Sequence, residues 1–181
     1  LDFVTSNSRS GTLTAVDYLI AHGHQKIAYL KGLDGTETAK ERFESFLNAV
    51  EKNNLEFQDG WLFKGDFTIE AGLECADKLI HKPKEELPTA ILCANDLMAI
   101  GLIQKLLEEG WNLPEDLSII GFDDISWSKW IYPSLTTIAQ PTIKLVYESM
   151  KLLTKRIKKI ANDEERPQPQ SVILEPKLIP R

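Results

Sequence analysis

The chain has 181 residues, 43% of them hydrophobic, which suits one folded domain or two small lobes. No apolar run is long enough to span a bilayer, and the first residues lack the basic and apolar segments of a signal peptide. The formal net charge of −6 argues against a DNA-binding surface within these residues, because such surfaces are basic. Since the first residue is not Met, we expect a piece of a longer protein.

Strand-like and helix-like segments alternate along most of the chain. Short apolar runs mark the strands, and apolar residues at spacings of three and four mark the helices. This alternation predicts βαβ units and an α/β fold with a parallel sheet flanked by helices. In chain order, the strands are predicted at residues 1–4, 27–30, 61–63, 90–93 and 117–122, and the helices include residues 13–20, 39–50, 69–80 and 97–106.

The pattern changes after Pro141. Six apolar residues recur there at alternating spacings of three and four, and such a stripe needs a hydrophobic partner along most of its length. A polar linker with two prolines follows over residues 162–171, and residues 172–179 return as a broken strand. The stripe consists of Ile143, Val146, Met150, Leu153, Ile157 and Ile160.

Polar and aromatic residues gather where the predicted strands end, which is where an open parallel sheet binds its ligand. Asn95 follows one buried strand and Asp123 ends the next, while Arg42 and Phe67 lie in or ahead of the neighbouring helices. Arginine supplies a rigid fork of donors, and aspartate and asparagine accept from hydroxyl groups. An aromatic ring covers the apolar face of a sugar. These four residues therefore predict a site for a hydroxyl-rich ligand.

Each of these residues also has a purely structural interpretation. Asn95 could serve only as a helix N-cap, and Arg42 could be a solvated or salt-bridged surface residue. Asp123 could belong to a turn, and Phe67 could belong to the core. Catalytic signatures such as G-x-S-x-G and H-E-x-x-H are missing, which predicts that the protein is not an enzyme and needs no metal or other cofactor.

Several motifs together resemble the effector-binding domain of the LacI/GalR family of bacterial transcription regulators. The resemblance covers nearly the whole chain, and all the pieces occur in the family's order. The pieces are G-H-Q-K-I-A (23–28), R-F-E-S-F (42–46), residues 88–101, residues 113–124 with the ending G-F-D-D, residues 133–141, and the closing L-E-P-K-L-I-P-R (174–181). Two departures are Ser45, where the family has Gly, and Ser6-Asn7, where it has Asp-Asn.

The resemblance implies roles for the same four residues. Family members grip the effector with residues that match Arg42, Asn95 and Asp123, and an aromatic residue matching Phe67 stacks on it. The effector is most often a sugar, although members that respond to purines and phosphoproteins exist. The loss of a carboxylate at Ser6 is expected to alter effector preference.

The resemblance also implies a periplasmic-binding-protein-like architecture. Residues 7–134 and 171–181 are expected to form the C-terminal lobe, and residues 1–6 and 135–161 part of the N-terminal lobe. The helix-turn-helix domain of a complete family member is absent from this chain. The implied protein is a cytoplasmic, sugar-responsive repressor that binds operator DNA through that domain and releases or grips it by lobe closure. The alternative is a periplasmic or secreted sugar-binding protein that serves a transporter.

The loop over residues 125–132 concentrates large apolar side chains. It carries Trp127, Trp130, Ile131 and Tyr132 within eight residues, which exceeds what a free surface normally shows. They could fold back onto their own lobe. The family places this loop near its subunit interface, which implies a homodimer with Trp130 and Ile131 in the contact.

Overall fold

The computed structural model describes residues 2–162 and 168–181, and their larger sheet has six strands. Its strands are β2 (Ile27–Leu30), β3 (Leu62–Phe63), β4 (Ala90–Cys93), β5 (Ser118–Asp123), β6 (Thr136–Ala139) and β8 (Lys177–Ile179). Their order in the sheet is β3-β2-β4-β5-β6-β8, and all neighbours are parallel except for the antiparallel pair β6–β8. This confirms the predicted α/β fold with its parallel sheet.

Four of the five described α-helices begin at a side-chain cap. Asn7, Thr36, Thr68 and Asn95 each accept a hydrogen bond from a backbone N–H in the first turn of the helix that follows. The helices therefore begin where short polar residues interrupt the apolar pattern. They are α1 (Ser8–Ala21), α2 (Glu37–Lys52), α3 (Ile69–Ile80), α4 (Asp96–Glu108) and α5 (Thr142–Ala161).

Helices cover both faces of the large sheet. Phe122 points from β5 to Gly11 of α1, whereas a side chain at Gly121 would point at Asp96 of α4. Because neighbouring residues of a strand face opposite sides, α1 and α4 lie on opposite faces. Every residue of β2 and β4 is buried, as parallel strands covered on both sides require.

A second, two-stranded sheet lies outside the large one. Its strands, β1 (Phe3–Ser6) and β7 (Ser171–Leu174), pair in parallel, and α5 packs against both. Arg156 of α5 binds the carboxylate of Asp2 through Nε and, at 2.6 Å, through Nη2. The hydrogen bonds from Arg156 hold the pKa of Asp2 below its usual range.

The strand pairing corrects two of the expected lobe boundaries. Residues 135–161 are expected to lie with residues 1–6. The helix α5 does pack against β1, but β6 pairs with β5 inside the large sheet, with Thr136 opposite Ile120 and Ala139 opposite Asp123. Residues 171–181 were expected to lie with the large sheet, but β7 pairs with β1 and only β8 joins the large sheet. Backbone pairing decides sheet membership, and residue type along one strand does not reveal its partner. Of the predicted linker, residues 163–167 lie outside the described residues, and so does Leu1 of the predicted first strand.

The apolar stripe of α5 is largely uncovered. All six of its residues are at least half exposed, from 52% at Leu153 to 87% at Ile143. The side of α5 that packs against the small sheet instead carries the buried Leu152 and the half-buried Arg156. The expected hydrophobic partner is therefore not found among the described residues. None of the described helices is both long and apolar enough to cross a membrane.

Candidate functional site

The structure brings the four predicted residues together at one edge of the large sheet. The strands β2, β3, β4 and β5 are parallel, so their carboxyl ends meet there. Asn95 comes two residues after β4, Asp123 ends β5, and Phe67 lies between β3 and α3. Arg42, in the second turn of α2, reaches the same edge.

Arg42 is buried, with 3% of its surface exposed, and its guanidinium is held from three directions. Nη2 lies 3.3 Å from Asp123 Oδ1, and Nη1 donates to the Ala94 carbonyl at 2.5 Å. The guanidinium carbon lies 3.6 Å from the centre of the Phe122 ring. The surface interpretation of Arg42 is therefore wrong, although the residue is salt-bridged. Its buried Nε has no acceptor among the described residues.

Asp123 lies where β5 stops and the backbone changes direction. Its φ is +120°, and that of Asp124 is +56°, which is unusual for residues that carry a side chain. Its Oδ1 accepts hydrogen bonds from Arg42 and, at 2.6 Å, from Gln140 Nε2. Burial raises the pKa of Asp123, and the charge of Arg42 opposes that rise. Burial likewise lowers the pKa of Arg42, which nevertheless keeps its proton at neutral pH because arginine titrates so high.

Asn95 both caps α4 and holds the loop that carries Phe67. Its Oδ1 accepts from the Met98 N–H at 3.0 Å, and its Nδ2 donates to the Phe67 carbonyl at 2.9 Å. The N-cap interpretation is therefore correct but incomplete. Phe67 itself has a φ of +74°, so this bond restrains a backbone conformation that is rare for phenylalanine.

The ring of Phe67 packs against the backbone just after β2. A side chain at Gly32 would overlap this ring, so the close contact depends on glycine at that position. The ring is half-buried and touches the hydrophobic core. Phe67 thus combines a packing role with a position beside Asn95.

Two polar residues of this edge were missed by sequence reasoning. Gln140 follows β6 and bonds to Asp123, and only the pairing of β6 with β5 brings it there. Asp96 is completely buried, and its carboxylate accepts from the Ile125 N–H and from two hydroxyl groups. An acidic residue in the first turn of a helix is common for reasons of charge alone. The position of Asp96 in the sequence therefore gave no sign that its carboxylate would bind three buried donors.

The arrangement offers hydrogen bonds to a small polar ligand. It combines a cationic donor, carboxylate and amide oxygens, and an aromatic ring at one edge. The Arg42–Asp123 pair balances the local charge, which favours a neutral ligand over a strongly charged one. Across residues 2–162 and 168–181, no group of three or more His, Cys, Asp or Glu side chains is placed to hold a metal ion.

The two residues predicted for a subunit contact face different surroundings. Trp130 is 75% exposed, and Trp127 and Tyr132 are exposed as well. Ile131 is only half exposed and packs against the hydrophobic core of its own chain. The fold-back interpretation therefore applies to Ile131 and not to the three aromatic residues.

Comparisons with known proteins agree on one family. A family model described as the periplasmic binding protein-like domain matches residues 16–181. The HTH-type transcriptional repressor PurR of Haemophilus influenzae strain PittEE is 39% identical over 180 residues, which is 99% of this chain and 52% of that protein. The PurR repressor of Mannheimia succiniciproducens is 39% identical over 156 residues, covering 86% of this chain and 46% of that protein. The chain thus spans about half the length of these relatives.

Solved structures show the same likeness. A regulatory protein of the LacI family from Chloroflexus aggregans superposes with a TM-score of 0.90 and 32% identity, over 100% of this chain and 63% of that one. A LacI family transcriptional regulator from Enterococcus faecium with bound ribose gives 0.87 and 30%, over 99% of this chain and 64% of that one. The transcriptional regulator CelR in complex with cellobiose gives 0.86 and 26%, over 100% of this chain and 53% of that one.

Proposed function

We propose that this chain is the ligand-sensing part of a transcriptional repressor, because it belongs to the periplasmic binding protein-like family and is a LacI/GalR-type effector-binding domain. The observation that carries the proposal is the convergence of Arg42, Asn95, Asp123 and Phe67 at the carboxyl edge of the sheet. The proposed role is binding and signalling in the cytoplasm rather than catalysis.

A sugar is the proposed ligand. The neutral Arg42–Asp123 pair suits hydroxyl groups, and the half-buried Phe67 offers an aromatic ring beside them. Two of the similar solved structures hold ribose and cellobiose. Because the relatives that this chain matches include PurR repressors, a purine belongs in any test panel as the competing ligand class.

The proposed mechanism is a shift between two states of the whole regulator. A ligand at the sheet edge draws two lobes together, and it changes DNA affinity only by binding one state more tightly than the other. By reciprocity, operator DNA changes ligand affinity by the same factor. DNA contact is assigned to a helix-turn-helix domain of the longer protein, since this chain carries a net charge of −6.

We also propose that the working regulator is a homodimer. The surface of Trp127, Trp130 and Tyr132 is strongly exposed on this chain, and a second copy is the occupant to which we assign it. A two-fold symmetric dimer would place two DNA-reading domains on a two-fold symmetric operator.

Isothermal titration calorimetry on the full-length protein tests the ligand site. The panel consists of D-ribose, D-glucose, cellobiose and hypoxanthine. For the compound that binds, Arg42→Ala and Asp123→Ala are each expected to weaken binding by about 2–5 kcal/mol, because each leaves a buried polar partner unpaired.

Lys40→Ala is the matched control, because Lys40 lies in α2 like Arg42 but is exposed. The ligand affinity of this variant is expected to equal that of the unaltered protein. Unchanged affinity in both the Arg42 and the Asp123 variants would remove these residues from the site. Binding of hypoxanthine without binding of any sugar would replace the proposed ligand class.

A further inference from the structure

Asp96, the first residue of α4, carries a completely buried carboxylate beside the large sheet. None of its surface is exposed, and its two carboxylate oxygens accept hydrogen bonds from three donors, two in the segment 125–132 and one in β6. Oδ2 accepts from the Ile125 N–H at 2.9 Å and from Ser128 Oγ at 2.7 Å. Oδ1 accepts from Thr137 Oγ1 at 2.5 Å. No positive side chain pairs with it in these bonds, so the hydrogen bonds themselves must offset the cost of its burial.

The backbone around Asp96 is shaped to receive the carboxylate. Oδ1 lies so close to the backbone of β5 that a side chain at Gly121 would overlap it. Thr137 is completely buried on β6, and it pairs with Gly121 in the strand register. The side chain of Asp96 therefore packs between the start of α4 and the adjacent strands β5 and β6.

The position of Asp96 places it between the ligand site and the exposed aromatic surface. On one side its chain neighbour is Asn95, which holds the Phe67 loop. On the other side its Oδ2 holds Ile125 and Ser128, two residues of the segment 125–132 that presents Trp127, Trp130 and Tyr132. Asn95 and Ile125 are far apart in sequence, and the hydrogen bonds of Asp96 join the start of α4, beside Asn95, to the segment 125–132.

We propose that Asp96 is a positioning residue that couples the ligand site at Asn95 to the aromatic segment 125–132. A shift of the start of α4, as a ligand at Asn95 would cause, moves the carboxylate and thereby the segment bonded to it. This inference rests on the proposed function for its biological meaning. The coupling itself is a property of the ligand-free protein and is tested without any ligand.

The test is a double-mutant cycle read by hydrogen exchange with mass spectrometry on the full-length protein. Asn95→Ala perturbs the ligand-site end, and the exchange rate of the segment 125–132 is measured. Ser128→Ala removes one loop-side bond of Asp96. Thr137→Val is the matched control, because it removes a bond to the same carboxylate but leaves both loop-side bonds intact.

Asn95→Ala is expected to speed exchange of the segment by roughly three-fold or more, since contacting residues of one hydrogen-bond network couple at this level. When Asn95→Ala is added to Ser128→Ala, the exchange rate of the segment is expected to rise by less than about 1.5-fold. When Asn95→Ala is added to Thr137→Val, the exchange rate is expected to rise as much as it does in the unaltered protein. A variant that fails to fold would show fast exchange in every peptide, so peptides of β2 and β4 serve as the folding check.

Three results would overturn the proposal. The first is an unchanged exchange rate of the segment in Asn95→Ala, and the second is a full rise in that rate in the Ser128→Ala background. The third is loss of the rise in both backgrounds, which would mean that Asp96 stabilises the region as a whole and does not couple the two sites. The calorimetric test of the ligand site has its own outcome. A failure of the proposed function and a failure of this coupling are therefore told apart.

Discussion

At the residue scale, the ligand edge is marked by backbone conformations that ordinary residues avoid. Phe67, Asp123 and Asp124 all have positive φ, a conformation that costs on the order of 1–3 kcal/mol per residue and persists only where the surroundings hold it. The surroundings do hold them. Asn95 bonds to the Phe67 carbonyl, Gln140 to Asp123, and Arg181 Nη2 to Asp124 Oδ1 at 2.7 Å. The polar residues of this edge therefore fix the backbone as well as offering groups to a ligand.

His24 makes one part of the stability depend on pH. Its Nδ1 lies 3.0 Å from Thr89 Oγ1, and burial, aided by the charge of His22, lowers its pKa below 6.5. Between that lowered pKa and 6.5 the unfolded chain binds more protons than the folded one, so this part of the stability is lost as the pH falls. We expect the urea midpoint to fall between pH 7.5 and pH 5.

The His24→Gln variant checks the assignment. Its urea midpoint should fall less over the same pH range than that of the unaltered protein. His81→Gln is the control for the exchange of a histidine for glutamine, since His81 is exposed at the end of α3, and its urea midpoint at pH 7.5 should stay close to that of the unaltered protein. An unaltered slope in His24→Gln would contradict the prediction.

At the scale of elements, α3 and α4 cross so closely that their backbones touch. A side chain at Gly72 of α3 would overlap the Met98 carbonyl and come within 2.7 Å of the Leu102 nitrogen. A side chain at Gly101 of α4 would likewise overlap the Ile69 carbonyl. Backbone atoms within a helix cannot move aside independently, so the two glycines set the distance between these helices.

Gly72→Ala is therefore expected to lower the free energy of unfolding. Overpacking of this kind costs about 1–3 kcal/mol, more than the gain of roughly 1 kcal/mol that alanine brings to a helix. Urea denaturation measures the change.

Gly60→Ala is the matched control. The nearest atom to its new side chain is the flexible end of Lys82, at 3.2 Å. Its effect should stay within about 0.5 kcal/mol, as for most surface changes. Equal free energies of unfolding for the Gly72 and Gly60 variants would show that a methyl group fits between α3 and α4 without strain.

The helix α5 divides its apolar residues between two sides. Leu152 faces the small sheet, whereas Ile143, Met150 and Ile157 lie on the exposed stripe. An uncovered apolar stripe of this length exceeds what single surface residues explain.

At the scale of the whole molecule, the exposed aromatic surface bears on assembly. Trp130 stands free of the core, and Ile131 next to it packs into the core. In the full-length protein we expect a dimer by light scattering at micromolar concentration. Trp130→Glu should shift it toward monomer, because it would bury a charge in an apolar contact.

Ile131→Glu should instead lower the free energy of unfolding of the single chain, since Ile131 packs against its own core. Gln58→Glu is the control, because it adds a charge at an exposed residue outside the segment 125–132 and should leave the dimer intact. A monomeric unaltered protein would defeat the dimer proposal. A dimer that survives Trp130→Glu would place the contact elsewhere.

Local sequence determined much of this molecule by itself. The continuous apolar runs of β2 and β4, the caps Thr68 and Asn95, and the spacing within α2 follow from neighbours a few residues apart. Those same local signals placed Arg42, Asn95 and Asp123 at strand ends and in the next helix, and parallel strands bring such positions to one edge.

The tertiary structure alone decided which segments pair and which side chains meet. The pairing of β6 with β5 and of β7 with β1 joins residues far apart in sequence, and that pairing brings Gln140 to Asp123 and Thr137 to Asp96. Tertiary packing also places Ile131 against the hydrophobic core and leaves Trp130 exposed. The reason is physical. Helix spacing and caps are set by contacts within one or two turns, whereas a strand's partner and a buried carboxylate's donors depend on long-range packing that no short pattern encodes.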